Sequence, residues 1–211
     1  PFTEQTNPLC DSLDGSLSAV KFLSTLRSCD SQIFSGFAGE SCMLDDTFVE
    51  ELERTSIACA NLITKSDDAK IIMTGCGTSG RIAFLTARRY NLLLKEVGVS
   101  NDYFGYACAG GDSALLLSDE LPEDDPLAGV ADLQKASNSS THTMLVGVTC
   151  GISAPYVAGQ VAHMLERQIG ETPCVGGNAV CLVGFNPIQM ARKTSIKGLP
   201  LGWHSFVDVA A

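Results

Sequence analysis

The sequence predicts an α/β fold, a parallel sheet held between two layers of helix in a three-layer αβα sandwich and preceded by N-terminal helices. Three observations predict it. Four runs, at residues 70–74, 103–109, 143–148 and 179–185, are continuously apolar, as strands covered on both faces are. Helical stretches separate them, and a strand–helix alternation closes into a parallel sheet. Upstream of about residue 66 there are helical patterns and no strand run. The chain is therefore divided into a helical segment, 1–66, and an α/β domain, 67–211.

In order along the chain, Ser16 or Ser18 can cap a first helix reaching about Arg27, and a second is expected from Ser31 to about Met43. Asp45 or Asp46 can cap a third, in which Val49, Leu52, Ser56, Cys59 and Ile63 recur at spacings of three and four and so share one face. Lys70 to Thr74 is the first strand. After it a helix is expected from near Ser79, with Ala83, Ala87, Tyr90, Leu94 and Val97 on one side. The second strand, Tyr103 to Ala109, closes on Gly110-Gly111. Beyond the acidic stretch Asp119 to Asp125, Pro126 can open a helix to about Ala136, because proline suits a first helical turn. Thr143 to Val148 is the third strand, followed by a helix from about Ala154 to Gln168 and a surface excursion at Gly170 to Asn178. Ala179 to Phe185 is the fourth strand, after which Asn186-Pro187 is expected to start another helical segment.

Composition narrows the function. A formal charge of −10 over 211 residues disfavours nucleic acid and anionic membrane, both of which need a positive face. It leaves room for a small anionic metabolite, which needs only a local nest of donors. The nine cysteines are an odd number without a C-x-x-C pair, and they read as free thiols packed as small hydrophobes. The three histidines, His142, His163 and His204, lack ligand spacing, so no metal is assigned. No apolar run approaches the ~20 residues of a membrane span.

Two strand-to-helix loops carry the chemistry. The first is Gly75-Cys76-Gly77-Thr78-Ser79-Gly80-Arg81, where glycines admit close approach of a ligand to the backbone and two hydroxyls add donors. The following helix aims its free N–H groups at the same point. The second, Thr149-Cys150-Gly151-Ile152-Ser153-Ala154-Pro155, again sets hydroxyls around a glycine. Ligands of open α/β sheets bind outside the carboxyl ends of the strands, where both loops lie. Either loop alone would also suit a tight turn; the matched pair favours an anion site. Gly75, Gly77 and Gly80 satisfy G-x-G-x-x-G, but no acidic residue closes the second strand as a dinucleotide site requires.

At these residues the sequence resembles a known family. Gly75 to Arg81 is similar to the G-x-G-T-S-G-R loop of bacterial N-acetylmuramic acid 6-phosphate etherases and animal glucokinase regulatory proteins, whose domains are of the sugar isomerase (SIS) type. Thr3-Glu4, Asn7-Pro8 and Leu13-Asp14 resemble the family's opening segment, and Ala109-Gly110-Gly111, Glu120 to Asp125, Pro155-Tyr156-Val157 and Asn186-Pro187 follow in the expected order. The resemblance implies an SIS fold and a sugar-phosphate site formed by Gly75, Gly77, Thr78, Ser79 and Gly80, by Glu123, and by Thr149, Cys150, Gly151 and Ser153. It implies no cofactor.

Etherases use two glutamates for proton transfer. Glu123 matches one, whereas Arg89, in Thr86-Ala87-Arg88-Arg89, stands in the place of the other. Arginine cannot exchange protons near neutral pH. Ile82 to Leu85, Tyr90-Asn91, Gly151 to Pro155 and Val183 to Pro187 look closer to the regulatory proteins. The resemblance thus implies a regulator more than an enzyme: a protein expected in the cytoplasm, and in the nucleus as well, that binds fructose 6-phosphate or fructose 1-phosphate and inhibits a glucokinase or hexokinase. An etherase-like lyase and a sugar-phosphate isomerase are the alternatives. Because the regulatory proteins carry two SIS domains and the chain starts at Pro1, it is expected to be a fragment holding the first of them.

Overall fold

The computed structural model describes residues 6–11, 13–37, 39, 42–117, 121–168, 178–200 and 202–210. The chain divides into two compact units between Ile57 and Ala58. The sequence reading set its change of character at 66/67, where a helix ends; the compact units part within that helix.

In the N-terminal unit, α1 (Ala19–Ser35) is capped by Ser18, whose hydroxyl accepts the N–H of Lys21 at 3.3 Å. It runs eight residues beyond the expected end at Arg27, and the separate helix expected from Ser31 is the last turn of this one. The physical reason lies in its many serines. Ser28, Ser31 and Ser35 donate their hydroxyls to carbonyls one turn back, so they join the helix instead of competing with it. Gly36, at φ 87, ends it. The helix α2 (Asp46–Lys65) begins behind Asp45, whose carboxylate accepts the Thr47 N–H at 3.0 Å. In its C-terminal part Leu62 is the buried residue, with Cys59 and Ile63 packed beside it; the expected stripe omitted Leu62.

The second unit is the α/β domain. The strands β1 (Lys70–Gly75), β2 (Phe104–Cys108), β3 (Thr143–Val148) and β4 (Ala179–Val183) form one sheet in the order β2-β1-β3-β4, every neighbouring pair parallel. The predicted fold class is what the structure has. Side chains alternate across the sheet as a pleat demands. Ile72 and Leu145 face a large core with α4 (Pro126–Ser137), α5 (Pro155–Gln168) and α6 (Phe206–Ala210). Ile71 and Met144 face the other way, into a smaller core with the end of α2 and with Leu94 of α3 (Gly77–Glu96). On α3, Ala83 and Ala87 are buried as expected and Tyr90 stacks on Phe104 at 4.8 Å, while Val97, expected on the same face, falls just past the helix end and lies in solvent.

After β4 the expected helix shrinks to a single 3-10 turn, Ile188–Met190. Pro187 precedes that turn with ψ 147, an extended value, and Ala191 leaves it extended as well. The predicted excursion 170–178 lies outside the described residues except Asn178, which accepts the Thr143 N–H at 3.2 Å. Residues 118–120 of the acidic stretch also lie outside them. No described helix is long and apolar enough to cross a membrane.

The helices α4 and α5 touch backbone to backbone. A Cβ on Gly129 would stand 2.2 Å from the Tyr156 carbonyl oxygen, and one on Gly159 would stand 2.3 Å from that of Pro126. Backbone atoms cannot yield as a side-chain tip can, so Gly129→Ala must push the helices apart. We expect a loss of about 1–3 kcal/mol, the usual range for overpacking, measured by urea denaturation; a stability within error of the parent would refute this packing.

Candidate functional site

The sheet order fixes where a site can be. From β1 the chain moves outward to β2 on one side, then crosses back to β3 on the other, so the connections diverge between β1 and β3. Beyond the carboxyl ends of two such strands, no helix covers the crevice. Gly75, the last residue of β1, pairs in register with Val148, the last of β3. The two loops singled out in the sequence therefore leave the sheet side by side.

A cleft of about 370 Å³ lies there, lined by Cys76, Gly77, Thr78, Ser79, Arg81, Glu123, Val148, Thr149, Cys150, Gly151, Ser153 and Ala154. Eight of the ten residues expected to bind ligand thus meet in one cavity. Gly75 and Gly80 do not line it; both are buried beneath it. A Cβ on Gly75 would be 2.7 Å from the Ser79 carbonyl carbon, and one on Gly80 would be 2.8 Å from the Gly75 oxygen. Their part is to let the first turn of α3 sit directly on the end of β1.

That turn supplies donors. The chain enters α3 through Cys76, in extended conformation and without a side-chain cap. Gly77 follows at φ 52, a left-handed value that glycine adopts without penalty. The opening N–H groups of a helix have no intrahelical partner, and the helix dipole adds partial positive charge beside them. Thr78 is exposed and Ser79 half-buried.

Opposite stands the second loop. Thr149 is buried, and its N–H donates to the Val183 carbonyl at 2.9 Å, continuing the sheet by one bond. Cys150 is exposed, and its carbonyl accepts the Phe185 N–H at 2.9 Å. Glu123 arrives from a 3-10 turn, Leu121–Asp124, which Asp125 joins to α4 by accepting the N–H groups of Leu127 and Ala128 at 2.9 and 3.0 Å. Pro122 sits over Gly110, where an added Cβ would meet its Cγ at 3.3 Å. The proline that stiffens this turn therefore seats Glu123 at the cleft.

Cys76, Arg81 and Ala154 line the cleft and belong to the two loop motifs without having been expected to bind ligand, and of these Arg81 carries a charge. Its Nε donates to the Leu115 carbonyl at 3.1 Å and an Nη to that of Ala114 at 3.3 Å, which ties the turn after β2 to α3. The available signal was its place at the end of the motif, one turn into the helix. Arg89 lies elsewhere. Roughly 18 Å along α3 from Gly77 at 1.5 Å per residue, it is exposed and 3.8 Å from Glu96.

Burial raises the Cys76 thiol far above the ordinary cysteine range, with the charges of Glu123, Cys108 and Asp124 adding to the effect. It therefore stays protonated where an exposed thiol begins to ionise, and only the thiolate attacks electrophiles. At pH 8, iodoacetamide should modify Cys150 at least about ten times faster than Cys76, as read by peptide mass spectrometry. Equal rates would contradict the difference in exposure between the half-buried Cys76 and the exposed Cys150.

Comparison with known proteins places this geometry in context. The family profile of the glucokinase regulatory protein N-terminal SIS domain matches residues 55–165. The glucokinase regulatory protein of Xenopus laevis is 32% identical over 209 residues, covering 97% of this chain and 32% of that protein. That of Mus musculus is 32% identical over 201 residues, covering 93% of the chain and 31% of that protein. The N-acetylmuramic acid 6-phosphate etherase of Aeromonas hydrophila subsp. hydrophila is 30% identical over 185 residues, 88% of the chain and 54% of the enzyme. The chain spans about a third of the length of the regulatory proteins it matches.

Proposed function

The chain belongs to the glucokinase regulatory protein N-terminal SIS domain family, and on that premise we propose that its cleft binds a phosphorylated ketose, fructose 6-phosphate or fructose 1-phosphate. The observation that carries this reading is the convergence of two hydroxyl–glycine loops and one carboxylate on a single cavity. The phosphate is assigned to the start of α3, where backbone N–H groups with Thr78 and Ser79 supply donors without a dedicated cation. The second loop, Thr149 to Gly151 with Ser153, closes on the ligand from β3. Glu123 is assigned to the sugar hydroxyls, since an ionised carboxylate only accepts hydrogen bonds and would repel a phosphate.

We extend the proposal to control of a sugar kinase. Its support is that the relatives are glucokinase regulatory proteins. As the chain matches a third of their length, inhibition of a glucokinase-type enzyme is proposed for a protein of the relatives' full extent.

A lyase reading has one observation in its favour: Glu123, the match to an etherase glutamate, does line the cleft. Against it, the aligned position of the second proton-transfer group holds Arg89, a solvent-facing guanidinium that cannot exchange protons near neutral pH. One of two acid–base groups missing costs roughly 10²-fold or more in rate.

Calorimetry separates the readings. Ser79→Ala should weaken fructose phosphate binding by about 1–2 kcal/mol, the contribution of one charge-assisted hydrogen bond, with the fold retained. Unchanged affinity would remove Ser79 from the site. Incubation with N-acetylmuramic acid 6-phosphate should release no lactate above background, whereas Glu123-dependent release would establish the lyase in its place.

A further inference from the structure

The second loop cannot hold its shape by itself. Ile152 stands at φ 49, a left-handed value that a β-branched residue adopts only under constraint. Such strain persists where neighbouring structure over-determines it. Here the neighbour is the segment after β4, which the sequence reading expected to be a helix. Its Phe185 N–H bonds the Cys150 carbonyl at 2.9 Å, and its Arg192 N–H bonds the Ile152 carbonyl at 3.0 Å. Between these two, the Nδ2 of Asn186 donates to the Gly151 carbonyl at 3.1 Å. Three successive carbonyls of the loop are thus each held by one donor from the same segment.

Asn186 is the side-chain member of this set. It is 7% exposed, and its Oδ1 is buried without a partner among the described residues. A buried amide with half its capacity unused is a net cost unless the other half accomplishes something. What it accomplishes is the bond to Gly151, a residue on the cleft wall. Because its partner is an acceptor, the amide must present its NH₂ group. The same segment reaches the other side of the cleft through Arg192, whose guanidinium lies 3.8 Å from Asp124, next to Glu123.

We infer that Asn186 is the positioning residue of the second loop: its hydrogen bond to the Gly151 carbonyl holds the strained 149–152 turn in the form that faces ligand. The role in binding rests on the sugar-phosphate reading above; the tether itself does not. Asn186 touches no ligand in this account and acts through Gly151.

The test uses the 211-residue chain with Asn186→Ala and the isosteric Asn186→Asp. Above its pKa an aspartate cannot donate to a carbonyl; once protonated, it can. Two measurements are made: amide hydrogen exchange without ligand, and calorimetry with fructose 1-phosphate and fructose 6-phosphate from pH 8 to pH 5. In both variants, exchange at Phe185 and Arg192 should accelerate at least about ten-fold through the lost tether, while Ile72 and Leu145 keep parental rates. Affinity should fall about ten-fold at pH 8 for one lost buried hydrogen bond. Relative to the parent at each pH, Asn186→Asp alone should recover as pH falls, a pattern that mere loosening of the core would not produce.

Parental exchange rates at Phe185 and Arg192 would overturn the inference. So would parental affinity at pH 8, or global unfolding of both variants, which would make Asn186 a core residue instead of a tether. If the parent chain binds neither fructose phosphate, the proposed function fails, and the exchange rates alone decide the tether.

Discussion

The cleft depends on one contact: nothing larger than hydrogen can stand between the end of β1 and the first turn of α3. Gly75 and Gly80 face each other across that contact, and a methyl group on either would overlap backbone atoms of the other's turn. The consequence is positional. With the helix seated directly on the strand, its unpaired N–H groups open into the space beside Gly75 instead of lying a side chain's width away. The register of β1 with β3 brings the second loop to the same level. Remove the close approach, and the two loops no longer share a cavity.

The electrostatics follow from this arrangement. A chain of charge −10 attracts no anion at long range. Local geometry must do what net charge does not. The guanidinium of Arg81 donates to two carbonyls of the turn after β2, and Glu123 adds negative charge to the lining of the cleft. In the proposed site, backbone N–H groups, which carry partial charge at fixed positions, would hold the phosphate together with the hydroxyls of Thr78 and Ser79. A carboxylate in the same cleft would suit a ligand with one anionic end and one hydroxyl-bearing end, as proposed above. A bare anion would gain nothing from that carboxylate, whereas the proposed phosphorylated sugar would use both ends.

The α/β class and the two loops were legible because each has a local signature. Continuous apolar runs report burial on both faces, and Pro126 after Asp125 reports a helix start whatever surrounds it. Other features depend on contacts distant in sequence, which no local pattern carries. The length of α1 was misread because serines look like breaks until their hydroxyls turn back onto the helix. Gly75 and Gly80 lie outside the cleft lining and allow close packing of β1 on α3, a duty that the motif alone does not separate from ligand contact. The segment after β4 was expected to be a helix; its donors go instead to loop carbonyls about 35 residues upstream. Arg81 was visible in its motif, yet its two carbonyl partners more than thirty residues later were not.

The central claim is that one ligand is held jointly by the start of α3 and by the loop after β3. Backbone amide chemical shifts followed during titration with fructose 1-phosphate test it directly. The account predicts saturable shifts at Gly77, Thr78 and Ser79 and at Cys150, Gly151 and Ser153, all fitting one dissociation constant, with α1 undisturbed. Shifts confined to one loop, two unrelated constants, or perturbation centred away from the cleft would contradict it.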